Sequence, residues 1–473
     1  MKTNYLTLKS WGTLLLLSMM PYYGHAQFIR SMHTLDGLGY RLQLNPALRP
    51  DQGYFNIPII GGTEVTASSN SLGSKDIVRI IGNNSDTDYY TDNAFYNRLK
   101  TENKLQANVT LDLLSFGWYK GKNFWNVNIS MKNDVEATIP HRVFESMRDA
   151  RGLGTQSWAN YMAEQGGTKV FANSYVETGL GFARNINEKL TIGGKMKLLF
   201  GTANLKMDIR KLNLQTNLTG TSQSTDWETI DNEALQQIHG QATIDVEAEI
   251  EASMKGFELK DDDGYVKRIG RGGSFGIAGF GLGLDLGATY KPIDNLMLSA
   301  AVLDLGFISW SKASSHTATT TSIQKYRFDN THLDEAESFR DIMTNGQIAD
   351  FDMLKVKQKK GKARSTALYS TVVLGGEYQL PDTKFCFGLL STTRFSQLTT
   401  QTELTLSSGY KINRSIGFSL AYSMIQSGGK GLGIGLKLGP VILATDYMYF
   451  GNNSKCTNLL LGFSVPMGAR KHD

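Results

Sequence analysis

A two-residue rhythm restricts this chain more than any other feature. From about residue 105, apolar and polar side chains alternate in stretches of about ten residues, the pattern of a strand with two different faces. Leu105, Ala107, Val109, Leu111 and Leu113 oppose Asn108, Thr110 and Asp112, and Trp125, Val127, Ile129 and Met131 oppose Asn126, Asn128, Ser130 and Lys132. Leu190, Ile192, Met196, Leu198 and Phe200 oppose Thr191, Lys195 and Lys197; the rhythm continues through Leu205, Met207 and Ile209 and slips phase at Leu212 and Leu214, as at a bulge. The last third repeats the pattern at short spacing, from Leu368 to Val465, with Pro381-Asp382, Asn413-Arg414, Gly428-Gly429 and Gly451-Asn452-Asn453 as turns. No proline interrupts residues 140 to 292 between Pro140 and Pro292, which suits central strands.

Such a meander is all-β, and two architectures accommodate it. About fifteen segments lie between Phe55 and Met467, too many for one sandwich and of the length that tilted membrane strands need. Aromatic residues recur near segment ends, as at Trp118-Tyr119, Tyr290, Tyr378, Tyr410 and Tyr447, which fits interfacial girdles. The reading adopted is an antiparallel up-and-down transmembrane β-barrel of about 14 strands. The alternative is a secreted two-domain β protein.

The N-terminus points the same way. Lys2 and Lys9 precede the apolar run Leu14-Leu15-Leu16-Leu17-Ser18-Met19-Met20, and Gly24 and Ala26 place small residues before Gln27. Residues 1–26 therefore read as a cleaved secretory signal peptide. Position 27 is Gln, so lipoprotein processing is not expected. The formal charge is +5, and removing Lys2 and Lys9 leaves about +3, which makes no electrostatic case for nucleic acid. Mean hydropathy is −0.26, and no downstream stretch is long enough for an apolar membrane helix. Cys386 and Cys456 are too few for a disulfide scaffold, and their pairing is open.

With the strands in place, the residues Leu44-Asn45-Pro46-Ala47-Leu48 and Ile57-Pro58-Ile59-Ile60-Gly61-Gly62 resemble an uncharacterised family of Bacteroidota outer-membrane barrels. Gly283-Leu284-Asp285-Leu286-Gly287-Ala288-Thr289-Tyr290-Lys291-Pro292 and Leu303-Asp304-Leu305-Gly306-Phe307-Ile308-Ser309-Trp310 look like that family's central strands. More remotely, the early Asn45-Pro46-Ala47 resembles the long-chain fatty-acid transporter superfamily, of FadL and PorV types. That resemblance implies a 14-stranded barrel plugged by its N-terminal segment, here residues 27–54, with the barrel at 55–473. It also implies binding or passage of a small hydrophobic or amphipathic molecule; the other reading is a non-transporting scaffold or secretion-system partner. Asn45, Pro46 and Ala47 are the candidate plug residues; the count of about fifteen segments exceeds fourteen by one, and Phe55 to Ala67 is the candidate for a segment that belongs to the plug instead of the wall. Outer-membrane lipid is the expected surrounding.

Between the strands, residues 141 to 170 predict two short amphipathic helices, through Val143, Phe144 and Met147 and through Trp158, Tyr161 and Met162. Residues 331 to 345 predict a third. These insertions belong on the extracellular side. Asp245, Glu247, Glu249 and Glu251 form an acidic face opposite Ile244, Val246, Ala248 and Ile250. Such a row could hold cations inside the lumen, but more often it is the solvated face of a strand reaching beyond the bilayer. A basic row from Lys355 to Arg364 could pair with it. Gly279, Gly281 and Gly283 leave room for a plug or a bend. No catalytic, metal or cofactor motif is present, and the histidines are scattered, so no catalytic residue, metal site or cofactor is nominated.

Overall fold

The computed structural model describes residues 30–468, apart from 36–38, 74, 77–91, 263–264, 345–353, 360, 414, 426–428 and 448–453. The expected signal peptide and the Gly451-Asn452-Asn453 turn lie outside the described residues. The strands are, in chain order, β1 (Gly53–Asn56), β2 (Thr63–Ser69), β3 (Glu102–Lys120), β4 (Asn123–Pro140), β5 (Met162–Glu164), β6 (Thr168–Asn185) and β7 (Leu190–Thr219). There follow β8 (His239–Asp262), β9 (Tyr265–Gly276), β10 (Gly279–Ile293), β11 (Leu296–Trp310), β12 (Ser315–Phe328), β13 (Lys357–Lys359) and β14 (Arg364–Ala367). The set ends with β15 (Ser370–Gln379), β16 (Phe385–Phe395), β17 (Thr400–Lys411), β18 (Ile416–Ile425), β19 (Gly429–Leu438), β20 (Val441–Thr445) and β21 (Cys456–Met467).

They close into a 14-strand antiparallel β-barrel. Some wall positions are composite. β7 pairs along its first half with β10 and along its second half with β8, so β8 and β10 together make one wall strand, interrupted by the β8–β9 hairpin. β11 and β12 make the next, because β12 pairs with β8 as β11 pairs with β10. Closure comes from β1 and β2, each of which pairs with both β3 and β21. The segment Phe55 to Ala67 is thus wall, not plug: its ladder satisfies backbone groups that β3 and β21 would otherwise expose as edges. Pro58 falls in the break between β1 and β2, where no ladder donor is needed.

The polarity of the wall inverts along its length, and β7 displays this on a single strand. In its first half the outward side chains are Ile192, Met196 and Leu198, all exposed, while Lys197 is buried facing inward. In its second half the same outward parity carries Lys206 and Arg210, and the inward parity carries buried Met207 and Ile209. A register shift between Ile209 and Lys211, at the expected phase slip, preserves the arrangement by keeping Leu212 and Leu214 inside. At about 3.3 Å per residue a strand of this length reaches roughly 100 Å, far more than the about ten residues a tilted span requires. β16 to β19, by contrast, run only 10–12 residues each.

The tall side encloses its own core. The helix α1 (His141–Asp149) buries Phe144 on Leu72 and Phe95 and holds the Tyr161 hydroxyl through Ser146 and Asp149, while inward residues of β7, β8 and β12 meet the helix α2 (Leu333–Thr344). Trp158 stacks on Tyr161 with ring centroids 4.3 Å apart, and Trp227 stands edge-on to Trp158 and Phe339. The second helix expected in residues 141 to 170 does not form. Trp158–Asn160 is a single 3₁₀ turn and Met162–Glu164 is β5. The Tyr161 N–H donates to Thr216 Oγ1, and Met162 pairs with Gln215, so β7 offers this stretch a ladder in place of a helix. The helix expected at 331 to 345 forms as α2.

Two outcomes test this description. Met196→Lys, on the exposed apolar face, should raise the cost of folding into lipid vesicles by about 2–4 kcal/mol, whereas Asn217→Lys on the polar extension should cost almost nothing, by urea titration. In the cap, burial raises the Asp149 carboxyl above its ordinary value, against the lowering effect of the Tyr161 hydroxyl that donates to it at 2.7 Å. A folded-state value above the unfolded one stabilises at low pH and loses that contribution as pH rises through it. Thermal unfolding of the cap, followed by tryptophan fluorescence, should therefore shift upward between pH 7 and 4, and Asp149→Asn should flatten that part of the profile.

Candidate functional site

The described residues between 30 and 49 lie inside the barrel as two 3₁₀ turns, Arg30–Thr34 and Gly39–Gln43, with the stretch through Arg49 after the second. This segment buries its apolar side chains against the inner wall: Met32, Leu35 and Tyr40 on Ile442, Ala444 and Leu460; Leu44 and Leu48 on Ala301, Leu303, Val373 and Leu390. Close approach of backbone to wall needs positions without side chains, and the wall supplies them. A Cβ on Gly287 would stand 2.1 Å from Asn45 Oδ1, one on Gly193 2.5 Å from the Pro46 carbonyl, and one on Gly409 2.5 Å from the Thr34 carbonyl. Gly279 and Gly281, expected as room for a plug or a bend, instead abut β11, at the Ser309 and Phe307 carbonyls.

Polar tethers fix the register of the segment. Asn45 Nδ2 donates to the carbonyls of Ala288 at 3.2 Å and Ala300 at 3.0 Å, while its Oδ1 accepts from the Ala47 N–H at 2.8 Å. Asn45 thus bridges β10 and β11, Pro46 lies against Gly193, and Ala47 is turned by the asparagine side chain. Arg41 Nη2 donates to both carboxylate oxygens of Glu377 at 2.7 Å. At the start of the segment the N–H groups of Arg30 and Ser31 donate to Asp446 at 2.8 and 2.7 Å, and the Arg30 guanidinium reaches Glu403 and the Tyr447 hydroxyl.

Beyond this segment, toward the long loops, lies a polar chamber lined by Asp112, Asn128, Lys132, Glu177, Lys195, Lys197, Asp285 and Asp304. Lys197 Nζ lies 2.6 Å from Asp304 Oδ1, 2.8 Å from Asp285 Oδ1 and 3.6 Å from Glu177 Oε2. Lys132 Nζ lies 3.0 Å from the same Glu177 oxygen and 3.5 Å from Asp304. Asp304 sits at φ 56°, a left-handed conformation that aspartate tolerates, and this turns its N–H onto Asp285 Oδ1 at 2.7 Å. The network holds β4, β6, β7, β10 and β11 together from inside. On the other side of this segment a vestibule open to solvent faces the short turns; its lining includes Leu35, Tyr54, Met297, Phe463 and Lys384.

Sequence patterning placed Asp112, Lys132, Lys195 and Lys197 on polar strand faces without bringing them together, and it did not single out Glu177, Asp285 or Asp304 as their partners. An inward lysine on a spanning strand needs a counter-charge, and that is the signal by which Lys132, Glu177, Lys197, Asp285 and Asp304 belong to one another. The acidic face lies elsewhere. Asp245, Glu247, Glu249 and Glu251 point outward from the tall extension, with Lys211 on Asp245 and Arg210 at 2.8 Å from both Glu247 and Glu249. From the basic row only Arg364 reaches it among the described residues, at 3.3 Å from Glu251. The main partners come from β7, because β7 is the ladder neighbour of β8. Cys386 and Cys456 are both free thiols.

A family of unknown function, DUF5723, matches residues 46–446. The uncharacterised barrel family expected from the sequence is this one. No curated protein matches. Among solved structures the chain is similar to the toluene transporter TodX of Pseudomonas putida, with 11% identity, TM-score 0.40, and coverage of 93% of this chain and 97% of that one. It is similar to the monoaromatic hydrocarbon channel CymD, with 10% identity, TM-score 0.37, and coverage of 92% and 95%. A FadL homologue of Pseudomonas aeruginosa gives 9% identity, TM-score 0.32, and coverage of 94% and 96%.

Removing one member of a buried ionic network leaves its partners uncompensated. Lys197→Met should lower stability by about 3–5 kcal/mol, measured by urea denaturation in detergent, and the double variant Lys197→Met/Asp304→Leu should recover a large part of that loss.

Proposed function

We propose the following reading for a chain that belongs to the DUF5723 family: it is an outer-membrane barrel that binds a small amphipathic molecule in its lumen and passes it when the N-terminal segment moves. The observation that carries this reading is the inversion of polarity along the wall. Outward apolar side chains such as Met196, Phe280, Leu282, Phe387, Leu389 and Leu420 form a belt at the height where the inward side chains are polar or charged. A soluble protein rarely exposes so large an apolar band, whereas lipid requires one. Closure of the ladder meets the other demand of lipid, that no backbone group be left without a partner. Export through the expected signal peptide at 1–26 belongs to the same proposal.

The plug reading is supported by how the segment is held. Between the chamber and the vestibule stands the stretch around Asn45-Pro46-Ala47, which continues along the chain into β1 and is otherwise attached to the wall by side-chain hydrogen bonds, an ion pair and apolar contacts rather than by a ladder. Such attachment is firm enough to close the lumen and weak enough to be released by a ligand with a modest preference for the open state. A polar end of the ligand would meet the charged chamber, its apolar part the mixed lining of the vestibule.

A second reading is a non-transporting scaffold, favoured by the tall extension of β7, β8 and β12, whose interior is filled with aromatic side chains and whose outer face is polar. Bilayer conductance separates the two. The wild-type protein should be mostly closed, and both Gly287→Leu, which collides with Asn45, and Asn45→Ala, which removes its wall bonds, should show frequent openings while retaining the folded heat-modifiable band on gels. Closed wild-type and closed variants of intact fold would discard the plug as a gate and leave the scaffold.

A further inference from the structure

The inner face of β3 carries a continuous row of polar and small residues, Gln106, Asn108, Thr110, Asp112, Ser115 and Gly117. The register shift between Asp112 and Leu114 keeps Ser115 on that face. Three cavities lie along the row. The first, at the long-loop end, is lined by Ser68, Gln106, Gln401 and Cys456; the charged chamber is the second and the vestibule the third. Neighbouring cavities meet at very few side chains. Among the described residues, the first and the chamber share only Asn108, and the chamber and the vestibule share only Gly39 and Tyr54.

The lower neck is filled by one aromatic ring. Tyr54 lies in a slot between Gly117 of β3 and Gly39 of the N-terminal segment, where a Cβ on either glycine would stand 2.7 or 2.8 Å from the ring. Its hydroxyl is 3.2 Å from Ser115 Oγ, and its ring stacks on Phe124 with centroids 6.4 Å apart. Along β1, Asn56 lines the chamber and Gly53 the vestibule, so Tyr54 stands at the division. The upper neck is an amide. Asn108 Nδ2 donates to Asp134 Oδ1 at 2.6 Å, but Asn108 Oδ1 and the hydroxyl of Thr66, its neighbour across the ladder, are buried without a protein partner. Buried polar groups left in that way are costly, and a polar solute passing the neck would satisfy them. Rotation of these two wall side chains joins the three cavities. It breaks none of the bonds that Asn45 and Arg41 make on β10, β11 and β15.

We propose that this row is a second route through the barrel, for small neutral polar solutes such as polyols and short sugars, with Asn108 and Tyr54 as its two necks and the N-terminal segment remaining seated. The amide and hydroxyl side chains along β3 offer such solutes donors and acceptors in turn. The chamber's lysines Lys132 and Lys197 are meanwhile engaged by Glu177, Asp285 and Asp304 on other strands. The route rests on the reading of the chain as a membrane barrel and not on release of the segment.

The test reconstitutes the full mature chain in phosphatidylcholine liposomes and follows their swelling in isosmotic arabinose by light scattering. Tyr54→Ala should swell at least tenfold faster than wild type, while amide hydrogen exchange around Arg41 and Asn45 stays at the wild-type rate. Adding Asn108→Phe to Tyr54→Ala should return swelling to the wild-type rate, because the two necks lie in series. Tyr54→Val, which keeps more of the packing on Leu42 and Phe124, replaces Tyr54→Ala if the latter lacks the heat-modifiable band. Wild-type swelling in the folded Tyr54 variant, swelling that Asn108→Phe leaves unchanged, or swelling accompanied by faster exchange around Asn45 each overturns the route. Asn45→Ala separates this result from the gate. If the Tyr54 variant passes arabinose and Asn45→Ala stays closed, the route holds and the gate fails; the reverse outcome refutes the route alone.

Discussion

A closed ladder of backbone hydrogen bonds is the constraint from which the rest of this structure follows. Once β1 and β2 join β21 to β3, the barrel wall has no edge among the described residues, and each wall strand presents one face to the inside and one to the outside. Side chains then have to be chosen for two surroundings at every position, and the surroundings change with height. Beside the apolar belt the interior must accept the polar half of the pattern; above it the interior must accept the apolar half. The charged chamber and the aromatic cap are the two solutions, stacked inside one wall.

The chamber solves its problem with ionic bonds and the N-terminal segment solves it with close contact. Lys132 and Lys197 among three carboxylates tie together inward positions of five wall strands, at the expense of making each member dependent on the others. The N-terminal segment places its backbone against Gly193 and Gly409 and the Asn45 side chain against Gly287, approaches that only glycine permits there. The high glycine content of the chain, 49 residues, owes part of its meaning to this interior seating rather than to turns.

Much of the fold was legible in the chain because period two is a direct readout of a two-faced strand. The alternation at Leu105 to Leu113, the phase slip at Leu212 and the helix after residue 331 all reappear. What alternation does not encode is partnership. Phe55 to Ala67 looks dispensable to a strand count until its neighbours are known, and Trp158 to Met162 has helical spacing until β7 claims its backbone. The luminal network was hidden for the same reason: Lys132, Glu177, Asp285 and Asp304 lie far apart in the chain and meet only when the wall closes. The acidic row was legible as a face, and its β7 partners were not.

The unequal heights of the two sides of the barrel bear on what can reach the lumen. β3, β4, β6, β7, β8 and β12 rise as a one-sided collar, while β16 to β19 stop near the upper margin of the apolar belt. The rim is therefore a slope rather than a circle, and its low side is where the wall places the least protein between the bulk solution and the interior. Anything arriving from that side meets a threshold, and from the opposite side a parapet.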